Sequence, residues 1–74
     1  MFMRQKEVAK LKAEYPAGTR IQLDAMNDPF HPVEAGTKGT VRYVDDAGQL
    51  HMSWDNGRTL AVVPNVDQFH KLDS

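Results

Sequence analysis

The chain predicts a mainly β domain, a small barrel of five short strands preceded by an N-terminal α-helix. Three observations carry that expectation. Residues 38–63 hold three runs of alternating apolar residues separated by Asp45-Asp46-Ala47-Gly48 and Asp55-Asn56-Gly57, the pattern of an antiparallel meander with tight turns. The first fifteen residues lack glycine and proline, and Pro16 follows them directly. A polar, turn-rich stretch from Asn27 to Thr37 separates the first alternating run from the rest.

In residues 1–15, Lys, Glu, Ala, Leu and Met favour helix. Val8, Leu11 and Tyr15 recur at helical spacing and form a narrow apolar stripe. Pro16 ends the helix because the residue before a proline is driven towards extended geometry. A helix this short needs something to pack on. The barrel is the expected surface, and a partner or a second copy, with Phe2 and Met3 extending the contact, is the alternative.

Residues 16–72 form the barrel domain. Its first strand, Thr19 to Asp24, turns Ile21 and Leu23 inward and Arg20, Gln22 and Asp24 outward. The Asn27–Thr37 loop, with Pro29, Pro32 and Gly36, is longer than a turn requires, and loops of that kind often carry function. In the second strand, Gly39 to Val44, Val41 and Tyr43 face inward and Thr40 and Arg42 outward. In the third, Gln49 to Trp54, Leu50, Met52 and Trp54 face inward and His51 and Ser53 outward. A four-residue loop at Asp45–Gly48 then sets Tyr43 opposite Leu50, Arg42 opposite His51 and Val41 opposite Met52.

The next turn discriminates between two registers. A two-residue loop at Asn56-Gly57 would set Leu60 opposite the outward Ser53. A three-residue loop at Asp55-Asn56-Gly57 sets Arg58 opposite Trp54, Leu60 opposite Met52 and Val62 opposite Leu50, which keeps the apolar face intact. The second register is expected, closed by a bulge with Gly57 in the left-handed conformation. Pro64 ends this fourth strand, Asn65-Val66-Asp67 forms a short helical turn, Phe69 to Leu72 adds a fifth strand or tie, and Asp73 and Ser74 fray.

Composition narrows the function classes. With 74 residues and 41% hydrophobic content the chain suits one small globular domain. It has no cysteine, hence no thiol nucleophile or thiolate metal site, which suits a reducing cytoplasm. No apolar run approaches the roughly 20 residues of a membrane span, and the charged N-terminus is unlike a signal peptide. The expected location is cytoplasmic, with no membrane partner. The net charge of −1 conceals an asymmetry. Residues 1–20 carry five basic against two acidic side chains, a net +3, and the remainder carries four against eight, a net −4.

Five short strands, a long first loop, two tight hairpins and a one-turn helix before the last strand resemble the SH3-like barrel. The motifs also resemble a particular family, an uncharacterised small bacterial and phage domain found in mobile genetic elements. They are Tyr15-Pro16-Ala17-Gly18-Thr19-Arg20, Asp28-Pro29-Phe30-His31-Pro32, Gly36-Thr37-Lys38-Gly39-Thr40-Val41, Val44-Asp45-Asp46-Ala47-Gly48, His51, Trp54-Asp55-Asn56-Gly57 and Leu60-Ala61-Val62-Val63-Pro64. They cover about Tyr15 to Asp67 in order and spacing. The resemblance implies the fold, a prokaryotic or phage source and an accessory role. It carries no functional residues across, since no activity is assigned to the family.

The residues point away from catalysis. His31, His51 and His70 are far apart, and no pair has the short spacing of a metal motif. Asp45 and Asp46 lie in a hairpin loop, where aspartate bonds turn amides, and not in a cleft. Neither a nucleophile–base–orienter set nor a phosphate-cradling glycine loop is present. No enzyme activity, cofactor or metal is therefore expected.

Trp54 and Tyr43 are expected in the core. Phe30 either caps the barrel or, between stiff prolines, forms an exposed apolar platform. The leading expectation is a non-catalytic module that recognises a protein partner through Asp28, Phe30, His31, Arg42 and His51. The alternative is a nucleic-acid-binding domain using Arg20, Lys38, Arg42 and Arg58, although the net acidic barrel portion opposes phosphate contacts. Strand edges or the helix stripe could also support a homo-oligomer.

Overall fold

The computed structural model describes residues 4–28 and 30–72. A helix α1 (Gln5–Glu14) precedes four strands, β1 (Arg20–Ala25), β2 (Lys38–Val44), β3 (Leu50–Trp54) and β4 (Gln68–Lys71). They form one antiparallel sheet in the order β3-β2-β1-β4. Alternation builds its core face. Ile21, Leu23, Val41, Leu50, Met52 and Val62 are fully buried, joined by Val33, Val44 and Trp54.

The expected stripe of the helix meets that core. Val8 is buried, and Leu11 and Tyr15 pack at the cluster's margin. The Tyr15 ring meets Phe69 edge-on at 5.6 Å between centroids. Lys71 Nζ donates to the Glu14 carbonyl at 2.6 Å, capping the helix end that Pro16 interrupts, and lies over the Tyr15 ring. Lys12 Nζ reaches Asp46 Oδ1 at 2.8 Å. The docking surface is thus the sheet. Phe2, Met3, Asp73 and Ser74 lie outside the described residues.

The five-stranded barrel is corrected to a four-stranded open sheet. The expected fourth strand, residues 58–63, bonds to β3 at its two ends. Trp54 N–H donates to the Arg58 carbonyl at 2.9 Å, and Leu50 and Val62 exchange both backbone bonds at 2.9 Å. Between these points the Leu60 carbonyl accepts the Trp54 indole N–H at 2.8 Å. A side chain has taken the place of a ladder rung, so no continuous strand forms. The ends nevertheless follow the three-residue loop, and Gly57 has φ of 89°. The expected fifth strand is β4, paired with β1, and the turn before it is closed by the Val66 and Asp67 amides on the Val63 carbonyl.

Tyr43 is the second correction. It is 51% exposed, and Val44 takes the inward place. Val44 pairs with Leu50, and the first hairpin closes one step further out, where Asp45 N–H bonds the Gln49 carbonyl around Asp46-Ala47-Gly48. Val41 still pairs with Met52, so β2 must absorb one extra residue, and it does so as a bulge at Arg42. His51 therefore faces Tyr43 instead of Arg42.

Candidate partner-binding surface

The long loop begins where β1 ends and is anchored along its length. Asp28 Oδ1 accepts the amides of Phe30 at 2.8 Å and His31 at 3.3 Å, a turn that aspartate favours. Val33 is buried and plugs the loop into the core. Gly36 N–H and the Thr37 carbonyl both bond Leu23, so the loop's far end continues the sheet. From the second hairpin, the Arg58 guanidinium donates to the His31 carbonyl at 2.6 Å. The loop is therefore held on three sides while Phe30 is 82% exposed. The barrel-cap alternative for Phe30 is excluded by that exposure.

Not all five expected partner-binding residues share this surface. Asp28, Phe30 and His31 lie on the loop, which joins the sheet beside Lys38. Arg42 lies further along β2 and His51 on β3, and among the described residues neither bonds Asp28, Phe30 or His31. The His51 ring stacks on Tyr43, with centroids 4.3 Å apart and planes 8° from parallel. Its Nε2 pairs with Asp45 Oδ2 at 2.8 Å, and Asp45 Oδ1 accepts the amides of Ala47 and Gln49. Partial desolvation pushes the Asp45 carboxyl up. The hydrogen bonds from His51, Gln49 and Ala47 outweigh it and hold the group below its ordinary range. Asp45 thus organises its hairpin, as its loop position suggested.

Of the cations expected for nucleic acid, Arg20 and Lys38 converge on one carboxylate, Asp55. Arg20 binds Asp55 through two parallel bonds, 2.7 and 2.6 Å, and Thr40 Oγ1 at 3.0 Å. The Arg20 bond, helped by its charge and that of Lys38 against slight desolvation, holds the Asp55 carboxyl below the usual carboxylate range. Arg58 is spent on loop carbonyls. Lys38 opens β2, and Arg42 sits at its bulge.

Asp67 was missed by sequence reasoning. It is buried, and its Oδ1 accepts Asn27 N–H at 2.8 Å while Oδ2 accepts Val63 N–H at 2.9 Å. One carboxylate thereby joins the start of the long loop to the turn before β4. The only signal was an aspartate after a proline-led turn, which reads equally as a solvent-facing turn residue. Among the described residues, no group of three or more His, Cys, Asp or Glu side chains could hold a metal ion. No described helix is long and apolar enough to cross a membrane.

Comparison with curated proteins and with solved structures gives no match. A family model described as a domain of unknown function, DUF4314, matches residues 4–72, which span the helix and all four strands. That coverage includes every motif that carried the resemblance noted above, and the chain belongs to this family.

Proposed function

We propose that this protein is a non-catalytic binding module that recognises a protein partner through the Asn27–Thr37 loop, in a bacterial or phage cytoplasm. The observation that carries the reading is Phe30, 82% exposed at the tip of a loop whose own backbone is tied down. A large exposed apolar ring on a prearranged support is the economical form of a binding anchor, since little ordering entropy is lost on contact. His31 and Asp28 flank it and supply polar contacts.

The nucleic-acid reading is second. Arg20 and Arg58 already have protein acceptors, and phosphate contacts would have to displace them. The exposed Tyr43 is in its favour, as a surface on which a base could stack.

Affinity capture from a host lysate with the wild type, Phe30→Ala and His31→Ala, each with and without nuclease, tests both. Capture that survives nuclease and is lost in the variants, with unchanged melting, supports the loop. Capture unaffected by both substitutions removes the loop as the interface. Capture abolished by nuclease transfers the case to nucleic acid.

A further inference from the structure

Beside the loop, a groove of about 280 Å³ opens between the Met26–Asp28 segment and the Val63–Asp67 turn. Its apolar walls include Met26, Leu60, Val63 and Val66, and its polar side chains include Asp28 and Asp67. We propose that this groove receives a segment of the protein partner in which an apolar side chain lies next to a lysine or arginine. The inference rests on the protein-binding reading above and names the chemistry of the partner.

Three observations carry it. The groove is built, because the Asp67 carboxylate takes one amide from each wall, Asn27 and Val63, and so fixes their separation. Met26 is fixed as well, its sulfur accepting Val33 N–H at 3.4 Å. Secondly, the groove has unspent apolar surface. Val66 at its lip is half exposed although it stands in a turn, where polar residues are the norm. Thirdly, the lining holds two carboxylates and no cation among the described residues, in a part of the chain that is net acidic. Asp28, whose Oδ1 accepts loop amides, is one of those two carboxylates.

At about 280 Å³ the groove lies at the low end of ligand pockets, which run from roughly 300 Å³ upward, and has room for a large side chain of a longer ligand. A phosphate-bearing strand would meet the carboxylates and be repelled. An apolar side chain in the groove with a neighbouring cation against Asp28 satisfies both surfaces at once.

Selection of a displayed random-peptide library on the purified full chain tests the proposal. Enriched peptides are expected to carry Lys or Arg within two positions of Leu, Ile, Met or Phe. Their affinity is expected to fall about tenfold on Asp28→Asn, by loss of a close charge pair, and comparably on Val66→Ser. Asp28→Asn retains an oxygen to accept the Phe30 amide, and unchanged melting verifies that the loop persists. Enrichment of acidic or uncharged peptides overturns the inference, as does binding indifferent to both substitutions. If such indifferent peptides are lost on Phe30→Ala, the groove fails while the binding-module reading stands. Failure to enrich any peptide overturns both.

Discussion

Gly39 is the position where one added methyl group should do most damage. It pairs with Ile21 on β1 and Trp54 on β3, and a Cβ built on it would lie 2.6 Å from Trp54 Cε3 and 3.1 Å from the Ser53 carbonyl oxygen. The clash cannot be relieved by swinging a surface side chain away. Trp54 is 2% exposed, and its indole N–H holds the Leu60 carbonyl at 2.8 Å. Moving the ring therefore loosens the segment that flanks β3. Overpacking of this kind costs about 1–3 kcal/mol, and a weakened buried hydrogen bond adds about 1 kcal/mol. A core of this size supplies only about 3–5 kcal/mol in all. Since about 1 kcal/mol displaces Tm by about 4–8 °C in domains of this length, Gly39→Ala is expected to lower it by at least about 8 °C. Urea and thermal unfolding followed by circular dichroism measure the loss. Trp54→Phe, which removes the benzo edge that the methyl would strike, should reduce the added cost of Gly39→Ala in a double-mutant cycle. Melting of Gly39→Ala within about 2 °C of wild type, a fraction of the shift expected for about 1 kcal/mol, would refute the close approach.

Three further perturbations follow from the same geometry. Gly57→Val meets open space but forces a branched side chain to a φ of 89°, so it should cost about 1–2 kcal/mol through the backbone alone; unchanged urea unfolding would count against the three-residue loop. Asp67→Ala leaves the Asn27 and Val63 amides without their acceptor and should cost about 2–4 kcal/mol, at about 1–2 kcal/mol for each amide, with hydrogen exchange accelerating at both amides. If those two amides remain as protected as in wild type, the carboxylate is not the clamp. Asp45 and Asp55 both have carboxyls held below their ordinary range in the folded protein. Their contribution is therefore complete above the unfolded carboxylate pKa of roughly 4 and is lost as pH falls through the lower folded values. Melting temperature should drop in that window, and Asp55→Asn should make the drop shallower; an identical acid limb in the variant would show that the Arg20 pair does not contribute.

Local chain chemistry was sufficient for much of this molecule. Strand alternation identified Ile21, Leu23, Val41, Leu50, Met52 and Trp54 as core, because a side-chain period of two leaves little choice once one face is apolar. The Asp55-Asn56-Gly57 turn could be counted from the same alternation, and the positive φ of Gly57 follows from that count. The stripe of Val8, Leu11 and Tyr15 gave the helix its buried face. What the alternation could not supply were features set by side chains that bond backbone groups. The bulge at Arg42 arises because the hairpin held by the Asp45 carboxylate sets Val44 opposite Leu50 while Val41 stays opposite Met52, and the mismatch turns Tyr43 outward. The expected fourth strand is interrupted where the Trp54 indole captures the Leu60 carbonyl in place of a strand partner. The candidate surface divides as well. Asp28, Phe30 and His31 are neighbours in the chain and remain together, whereas Arg42 and His51 are carried separately by β2 and β3. Asp67 gained its role only when folding brought Asn27 and Val63 to its two oxygens, a meeting of backbone amides that no side-chain pattern encodes.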